Sequence, residues 1–284
     1  MGKIIIYTDS TADLSLDIRE KMGIKCLPLY VNFSDGSYTD GVDLDTVKLY
    51  EKVVKLKELP KTSAIPHADF YAAFKEEIDN GNEILFICIS KEISSTYQNA
   101  VFVKGEMSGK IEIVNSQNLS SGIALLVLRA CKLRDDGKPL QEIKDEVERL
   151  VPLVKSQFAI KTLEYLHKGG RLTGLATLLG SILQIKPIIA VKDGKLSIYK
   201  KTLGNFNKAL DLMLKDFFAE VDKDNVDMEN IMITHSLADK SAMYMLGEVK
   251  NKCNPSNLIE SHAGCVISSH CGAGTIGILY ILKK

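Results

Sequence analysis

The segment from Ile84 to Ala100, ILFICISKEISSTYQNA, limits the possible folds of this chain more than any other stretch. Its opening run, through Ile89, is continuously apolar and rich in β-branched side chains, which predicts a parallel strand covered on both faces. A short polar turn follows, and a helix begins near Ser94, Ser95 or Thr96. The segment therefore predicts a strand, turn and helix of an α/β fold, with three hydroxyls at the helix start.

A helix start of this kind offers free backbone N–H groups and the positive end of the helix dipole, which together attract a carboxylate or a phosphate. The alternative is that one hydroxyl only caps the helix, and for an isolated serine near a helix start that role is the more common one. Three consecutive hydroxyls weaken the capping interpretation but do not overturn it.

Composition and charge narrow the class of protein. The chain has 284 residues and 45% hydrophobic content, which is enough for two domains or one large one, and 36 basic residues balance 36 acidic ones. This balance argues against nucleic acid as a partner, because phosphate-backbone binders rely on a positive field. No apolar run is long enough to span a bilayer, and the N-terminus lacks a signal-peptide pattern. We therefore expect a cytoplasmic, soluble protein.

Polar side chains recur where predicted strands lead into helices. The four loops concerned are Thr8 to Thr11, Thr62 with Ser63, Ser94 to Thr96, and Asn115 to Ser121. In an open α/β sheet such loops gather at the carboxyl ends of the strands, where ligands bind. Each loop alone is also explained by turns and helix caps. Their repetition favours one shared pocket.

An amphipathic helix from Pro139 to about Lys155 ends the first half of the chain. We predict an N-terminal α/β domain over residues 1–156, with an open, mostly parallel sheet flanked by helices. Residues 157–284 are predicted to form a mixed α/β domain with antiparallel pairing. The second half carries a predicted helix from Thr173 to Gln184 and a hairpin around Asp193 and Gly194. Two further strands are predicted, Ala263 to Ser268 and Thr275 to Leu282.

Two residues near the glycine-rich turns have chemistry suited to an anion. Arg171 follows two glycines, so its guanidinium can approach a carboxylate or phosphate closely, although a solvated arginine after a helix end fits equally well. His270 lies in SHCGAG between the two predicted final strands, where it is suited to donate a proton or a hydrogen bond. A buried histidine bonded to a carbonyl group is the competing interpretation.

Other site types have weaker support. The chain contains no GxGxxG after a strand, no GxxxxGK[ST] and no GxSxG, and a nucleophile and base pair of Ser94 and His270 has nothing specific in its favour. The six cysteines form no CxxC pair, so no disulfide framework is expected. The cluster of His262, Cys265, His270 and Cys271 has zinc-binding side chains, but its spacing matches no standard zinc site.

Taken together, these segments make the whole chain resemble the DegV family of bacterial fatty acid-binding proteins, of the kind that serve a fatty acid kinase. The matching motifs, from end to end, are TDSTADL at 8–14, TS at 62–63, ISSTYQNA at 93–100, LEYLHKGGR at 163–171, IKPII at 185–189 and HCGAG at 270–274. Most are weak alone, but their order and spacing are quite specific.

The resemblance implies two α/β domains and a long-chain fatty acid with a buried acyl chain, whose carboxylate lies near the hydroxyls of Thr62 and Ser94. It also implies that Arg171 and His270 assist a separate kinase that phosphorylates the carboxylate to an acyl phosphate. The chain would then be a carrier with no catalytic residue of its own, no metal and no cofactor. The resemblance further suggests transient membrane contact for lipid exchange. The alternatives are a small-molecule hydrolase or phosphotransferase that uses the same Ser/His/Arg cluster, and a metal-dependent sensor.

The expected ligand-binding residues are Thr62, Ser63, Ser94, Ser95, Arg171 and His270. The chain departs from the usual family pattern at several positions. It has Ser95 in place of Gly, Ala64 and Ile65 in place of Gln-Pro, Asn115 in place of Asp, and Ala273 in place of Pro. The changes at Ser95 and Ala64 bear on hydrogen bonding in the pocket, and those at Asn115 and Ala273 on supporting contacts.

Overall fold

The computed structural model of the protein describes residues 2–171 and 185–284. Within these residues the strands form three sheets, with the orders β2-β1-β6-β7, β10-β9-β8-β13-β11-β12 and β4-β3-β5. The strands are β1 (Ile4–Asp9), β2 (Ile24–Leu27), β3 (Tyr30–Phe33), β4 (Gly36–Thr39), β5 (Lys61–Ser63), β6 (Glu83–Cys88), β7 (Ile111–Asn115), β8 (Val154–Ala159), β9 (Ile185–Lys192), β10 (Lys195–Leu203), β11 (Asn230–His235), β12 (Asn257–His262) and β13 (Ile276–Ile281).

The helices lie between these strands. They are α1 (Leu16–Lys21), α2 (Thr46–Leu56), α3 (His67–Asp79), α4 (Thr96–Gly105), α5 (Ser121–Asp135), α6 (Leu140–Leu150), α7 (Glu164–Lys168), α8 (Asn207–Asp222), α9 (Asp239–Lys252) and α10 (Cys265–Cys271). Local sequence explains several of their starts. The side chains of Ser15 and Asp45 each accept a hydrogen bond from a backbone N–H in the first turn of the following helix. No helix in the described residues is long and apolar enough to cross a membrane.

The four-stranded sheet is parallel throughout and is buried on both faces, as its apolar sequence predicts. Along β6, Leu85 and Ile87 pack into a core with α5, whereas Phe86 packs on the other face with Phe70 and Phe74 of α3. The predicted strand from Ile84 is thus confirmed, and its carboxyl end leads into the loop that carries Ser94.

The six-stranded sheet is mixed. Its β9 and β10 form the antiparallel hairpin predicted at Asp193 and Gly194, and both turn residues have the positive φ angles that such a tight hairpin turn requires. The mixed α/β class predicted from the sequence is confirmed. The division into residues 1–156 and 157–284 stays a prediction, and it falls within β8.

The three-stranded sheet was not predicted. Residues 24–33 contribute β2 to the parallel sheet and β3 to this sheet, where β3 pairs antiparallel with β4 and β5. Thr62 and Ser63 lie on β5. Their loop therefore does not follow a strand of the parallel sheet, and that part of the four-loop prediction is wrong.

The prediction of a strand from Ala263 to Ser268 is also wrong, because this segment contributes to helix α10. His270 consequently lies in the last turn of a helix and not between two strands. A short apolar run such as GCVIS does not distinguish a helix from a strand by its pattern alone. At the start of the helix, the backbone N–H groups of Gly264 and Cys265 donate to side chains from distant parts of the chain, which favours the helix. The helix predicted from Thr173 to Gln184 lies outside the described residues.

Candidate functional site

A cavity of about 300 Å³ lies where the three sheets and α10 meet. This volume is at the lower end of the range for ligand pockets, about 300–1,000 Å³. Much of its wall is apolar and comes from strands, helices and loops throughout the chain. These apolar residues are Leu29, Ile89, Ile93, Leu119, Phe158, Leu166, Leu196, Val266, Ile267 and Leu279.

Several hydroxyl groups also line the cavity, but they bond to other groups of the protein. Ser156 donates to the side chain of Asn118 at 2.6 Å, and Thr275 donates to the carbonyl oxygen of Cys271 at 2.8 Å. The hydroxyls of Thr234 and Ser236 likewise have serine partners. Because these groups are already satisfied, this part of the wall suits an apolar chain.

All six residues predicted to bind the ligand line the same cavity. They come from β5, from the loop before α4, from the segment after α7 and from the end of α10. Some of these residues are far apart in the sequence. Thr62 and His270 are separated by more than 200 positions, yet the Thr62 hydroxyl lies 2.8 Å from His270 Nε2 in a hydrogen bond. The structure therefore assembles a polar mouth on an otherwise mostly apolar cavity.

His270 is held as a neutral imidazole at this mouth. Burial, assisted by the positive charge of Arg171, lowers the pKa of His270 to about 4. Its Nε2 atom pairs with Thr62, while Nδ1 is buried without a hydrogen-bond partner among the described residues. The ring lies so close to the backbone at Gly169 that a Cβ atom there would be 2.3 Å from Nδ1. Gly169, two positions before Arg171, thus allows the close approach of the histidine.

Arg171 is half-buried, and the guanidinium donates to backbone carbonyl groups. Nη1 donates to Gly169 at 2.7 Å, and Nη2 and Nε donate to Ile93 at 3.2 and 3.4 Å. No carboxylate pairs with it within residues 2–171 and 185–284, and burial lowers its pKa. A half-buried cation whose protein partners are neutral is suited to receive an anion.

The serines differ in their surroundings. Ser94 is half-buried, and its hydroxyl accepts from the backbone N–H of Thr96 at 3.3 Å and pairs with the Thr96 hydroxyl at 3.0 Å. Ser95 and Ser63 are exposed, and the Ser63 hydroxyl accepts from Asn32 at 3.1 Å. The N-cap residue of α4 is Ser95, which makes no side-chain capping bond, whereas Ser94 bonds to Thr96 and also lies on the cavity wall.

The nucleophile and base pair considered for a hydrolase is not formed. His270 Nε2 bonds to Thr62, and the hydroxyl of Ser94 bonds within its own turn. The proposed zinc cluster is not assembled either. Cys265 donates its thiol proton to the carbonyl oxygen of Leu44 at 3.1 Å, and it lies five positions before His270, at the other end of the helix.

A different group in the described part of the chain has ligand atoms close enough for a metal, namely His235, Glu260 and His262, within 4.8 Å of one another. However, His235 Nδ1 accepts the backbone N–H of Ala238 at 3.0 Å, so Nε2 carries the proton that it donates to Glu260 at 3.1 Å. A histidine that binds a metal donates through its other nitrogen. This histidine instead supports the start of α9.

Sequence reasoning missed the apolar wall and the residues that hold α10. Nothing in the sequence distinguishes Leu119 or Leu279 from any other core leucine. The missed support of α10 consists of the buried side chains of Asp13 and Asp40, at 7% and 4% exposure. Asp13 lies in the motif TDSTADL, which carried part of the family resemblance without a role for this aspartate.

Comparison with known proteins places the chain in a family. The family described as "Uncharacterised protein, DegV family" matches residues 3–283. A DegV domain-containing protein of Clostridium acetobutylicum is 36% identical over 100% of both chains. A solved structure on the fatty acid binding of a DegV family protein from Thermus thermophilus is 31% identical, with a TM-score of 0.91 and 99% of each chain covered.

A second solved structure, of DegV from Bacillus subtilis, described as a fatty acid binding protein, is 26% identical. Its TM-score is 0.89, and 100% of each chain is covered. These matches extend over both halves of the chain. The resemblance inferred from the motifs is thus confirmed, and the chain belongs to the DegV family.

Proposed function

We propose that the protein binds a long-chain fatty acid, with the acyl chain in the apolar cavity and the carboxylate at the polar mouth. The observation that carries this proposal is the cavity itself, whose mostly apolar wall ends at a neutral histidine and an arginine without a carboxylate partner among the described residues. The fatty acid binding stated for the relatives from Thermus thermophilus and Bacillus subtilis supports it.

Burial of the acyl chain supplies the affinity. Each buried methylene contributes about 0.8 kcal/mol, so a chain of about sixteen carbons contributes on the order of 10 kcal/mol before the costs of ordering. The polar groups then need only orient the carboxylate. We assign that role to Thr62, Ser63, Ser94, Ser95, Arg171 and His270.

We further propose that the protein presents the carboxylate to a separate fatty acid kinase. Hydroxyls and a neutral imidazole orient a carboxylate without neutralising it, so its oxygen stays nucleophilic toward the phosphoryl group of ATP held by the kinase. Arg171 then stabilises the additional charge of the acyl phosphate. This role places the protein in the cytoplasm, with transient membrane contact when the lipid is exchanged.

Lipid extraction tests the binding proposal. The purified protein is denatured and extracted with organic solvent, and the extract is analysed by mass spectrometry beside a metal analysis of the same sample. We expect a stoichiometric long-chain fatty acid. An extract without lipid, from protein that contains zinc, would contradict the proposal in favour of a metal-dependent sensor.

A further inference from the structure

The start of α10 is held by carboxylates from distant parts of the chain. The backbone N–H of Gly264 donates to Asp13 Oδ1 at 2.8 Å, and that of Cys265 donates to Asp40 Oδ1 at 2.7 Å. Gly264, in the N-cap position, has no side chain to cap the helix. A helix of seven residues is not stable by itself, so it depends on such contacts. We call Asp13 and Asp40 the carboxylate socket.

The carboxylate socket is itself fixed in place. The second carboxylate oxygen of Asp13 accepts the hydroxyl of Ser120, and its carbonyl oxygen accepts the hydroxyl of Ser261 at 2.7 Å. Asp13 has a φ angle of 55°, a strained value for a residue other than glycine. Buried carboxylates are costly unless they are well bonded, and the positive end of a helix offsets part of that cost. The start of α10 therefore offsets part of the cost of burying Asp13 and Asp40, while Asp40 Oδ2 is buried without a partner among the described residues.

The opposite end of the same helix carries His270. An α-helix advances 1.5 Å per residue, so His270 lies about 8 Å along the axis from Cys265. Because a helix is stiff over two turns, a displacement of Cys265 displaces His270 by a similar distance. The imidazole has little tolerance for displacement. It lies in contact with the backbone at Gly169 and at 2.8 Å from the Thr62 hydroxyl.

We propose that Asp13 and Asp40 are positioning residues for the polar mouth: by holding the start of α10 they set the place of the His270 imidazole against Thr62. The effect of this positioning on a bound carboxylate rests on the proposed function, whereas the coupling between the carboxylate socket and His270 does not. The start and the end of α10 therefore move together. Through Asp13, the motif TDSTADL affects the polar mouth without lining it.

The coupling is tested by NMR titration of the His270 imidazole in the full-length protein. The His270 resonance is assigned by its loss in His270→Gln. In Asp40→Ala we expect the pKa of His270 to rise by about one unit or more toward its ordinary value, because the displaced ring gains access to water. The matched control is Glu77→Ala, which removes another buried carboxylate, on α3, whose hydrogen-bond partners Tyr7, Lys25 and Asn82 lie outside α10.

Two further variants keep the proposal falsifiable should Asp40→Ala not fold. Asp40→Asn retains an acceptor for the Cys265 N–H and is expected to restore the pKa of His270. Gly264→Ala keeps both carboxylates but places a Cβ 3.2 Å from an oxygen of each, and should shift the His270 resonance. Its control is Gly247→Ala, whose Cβ meets nothing within 4 Å.

The outcomes separate this inference from the proposed function. An unchanged His270 titration in folded Asp40→Ala or Gly264→Ala would overturn the positioning role, and so would an equal shift in Glu77→Ala. Neither result depends on a ligand. If the titration shifts as expected but lipid extraction finds no fatty acid, the positioning role stands and the proposed function fails.

Discussion

The two ends of α10 contrast in how their polar groups are satisfied. At the start, each carboxylate of the socket accepts a backbone N–H from the helix, and Asp13 is bonded through both oxygens, whereas Asp40 Oδ2 is buried without a partner among the described residues. At the end, His270 has one bonded nitrogen and one without a partner among the described residues, and Arg171 donates to neutral carbonyls. Both ends are substantially buried, so the difference does not come from solvent.

The contrast is clearest between Asp13, whose carboxylate is satisfied within the fold, and Arg171, which the proposed function assigns to the ligand. A buried charge must be compensated, and at Asp13 the helix start and Ser120 do so. At the mouth, the compensation for Arg171 within the described protein is incomplete, because carbonyl dipoles face a full positive charge. In the proposed function, the carboxylate of the fatty acid completes it. Accordingly, changes at the mouth should affect the ligand more than the fold, with the reverse at the socket.

The largest expected effect concerns phosphorylation. Arg171→Ala should reduce phosphorylation of the bound fatty acid by a purified kinase by about 100-fold, because it removes a cation that stabilises developing charge. The amount of fatty acid that copurifies should change little, since the acyl chain supplies most of the affinity. The measurement is acyl phosphate formation at saturating kinase, with bound lipid quantified in parallel.

Arg171→Lys serves as the comparison for Arg171→Ala. It keeps the charge but loses the planar fork, so it should recover part of the rate. Normal phosphorylation with Arg171→Ala would contradict the role assigned to this residue. Arg171 would then serve the fold and not the ligand, as Asp13 and Asp40 do.

The two ends should also respond to pH in opposite directions. Burial raises the pKa of Asp9, beside the socket, to about 6, and raises that of Asp13, whereas it lowers the pKa of His270 to about 4. A lowered histidine pKa gives stability that is present above its ordinary value of 6.5 and is lost as the pH falls toward 4. Raised carboxyl pKa values give stability that is lost as the pH rises.

His270→Gln isolates the contribution of the mouth. Between about pH 7 and about pH 4.5, the wild type should lose about 2 kcal/mol more unfolding free energy than the variant. Urea unfolding of both proteins at the two pH values measures the difference. An equal loss in both proteins would show that the imidazole is not held neutral by the fold.

The sequence predicted the parts of the fold that depend on local pattern. The buried strand from Ile84, the hairpin at Asp193 and the starts of α4 and α6 followed from apolar runs and turn chemistry. Helix α10 was not predicted, because the short apolar segment from Ala263 to Ser268 fits a helix or a strand. Its start is fixed by Asp13 and Asp40, more than 200 positions away in the sequence. Such contacts have no local signature.

The site was predicted in the same uneven way. Its polar residues share a chemistry, hydroxyls with one arginine and one histidine, so they could be selected by type and by resemblance. The wall of the cavity could not, because Leu119 and Leu279 differ from core leucines only in what they face. The same holds for Asp13, whose role depends on the distant Gly264.

The smallest expected effect concerns Ser94, which has a role in the fold as well as a proposed role in ligand binding. Its hydroxyl supports its own turn and also lines the cavity. Ser94→Ala should therefore weaken fatty acid retention by about fivefold to tenfold, the worth of one hydrogen bond of about 1 kcal/mol. Release of a fluorescent fatty acid to vesicles measures it, with the exposed Ser37→Ala as control. A loss of unfolding free energy without faster release would assign Ser94 to the fold alone.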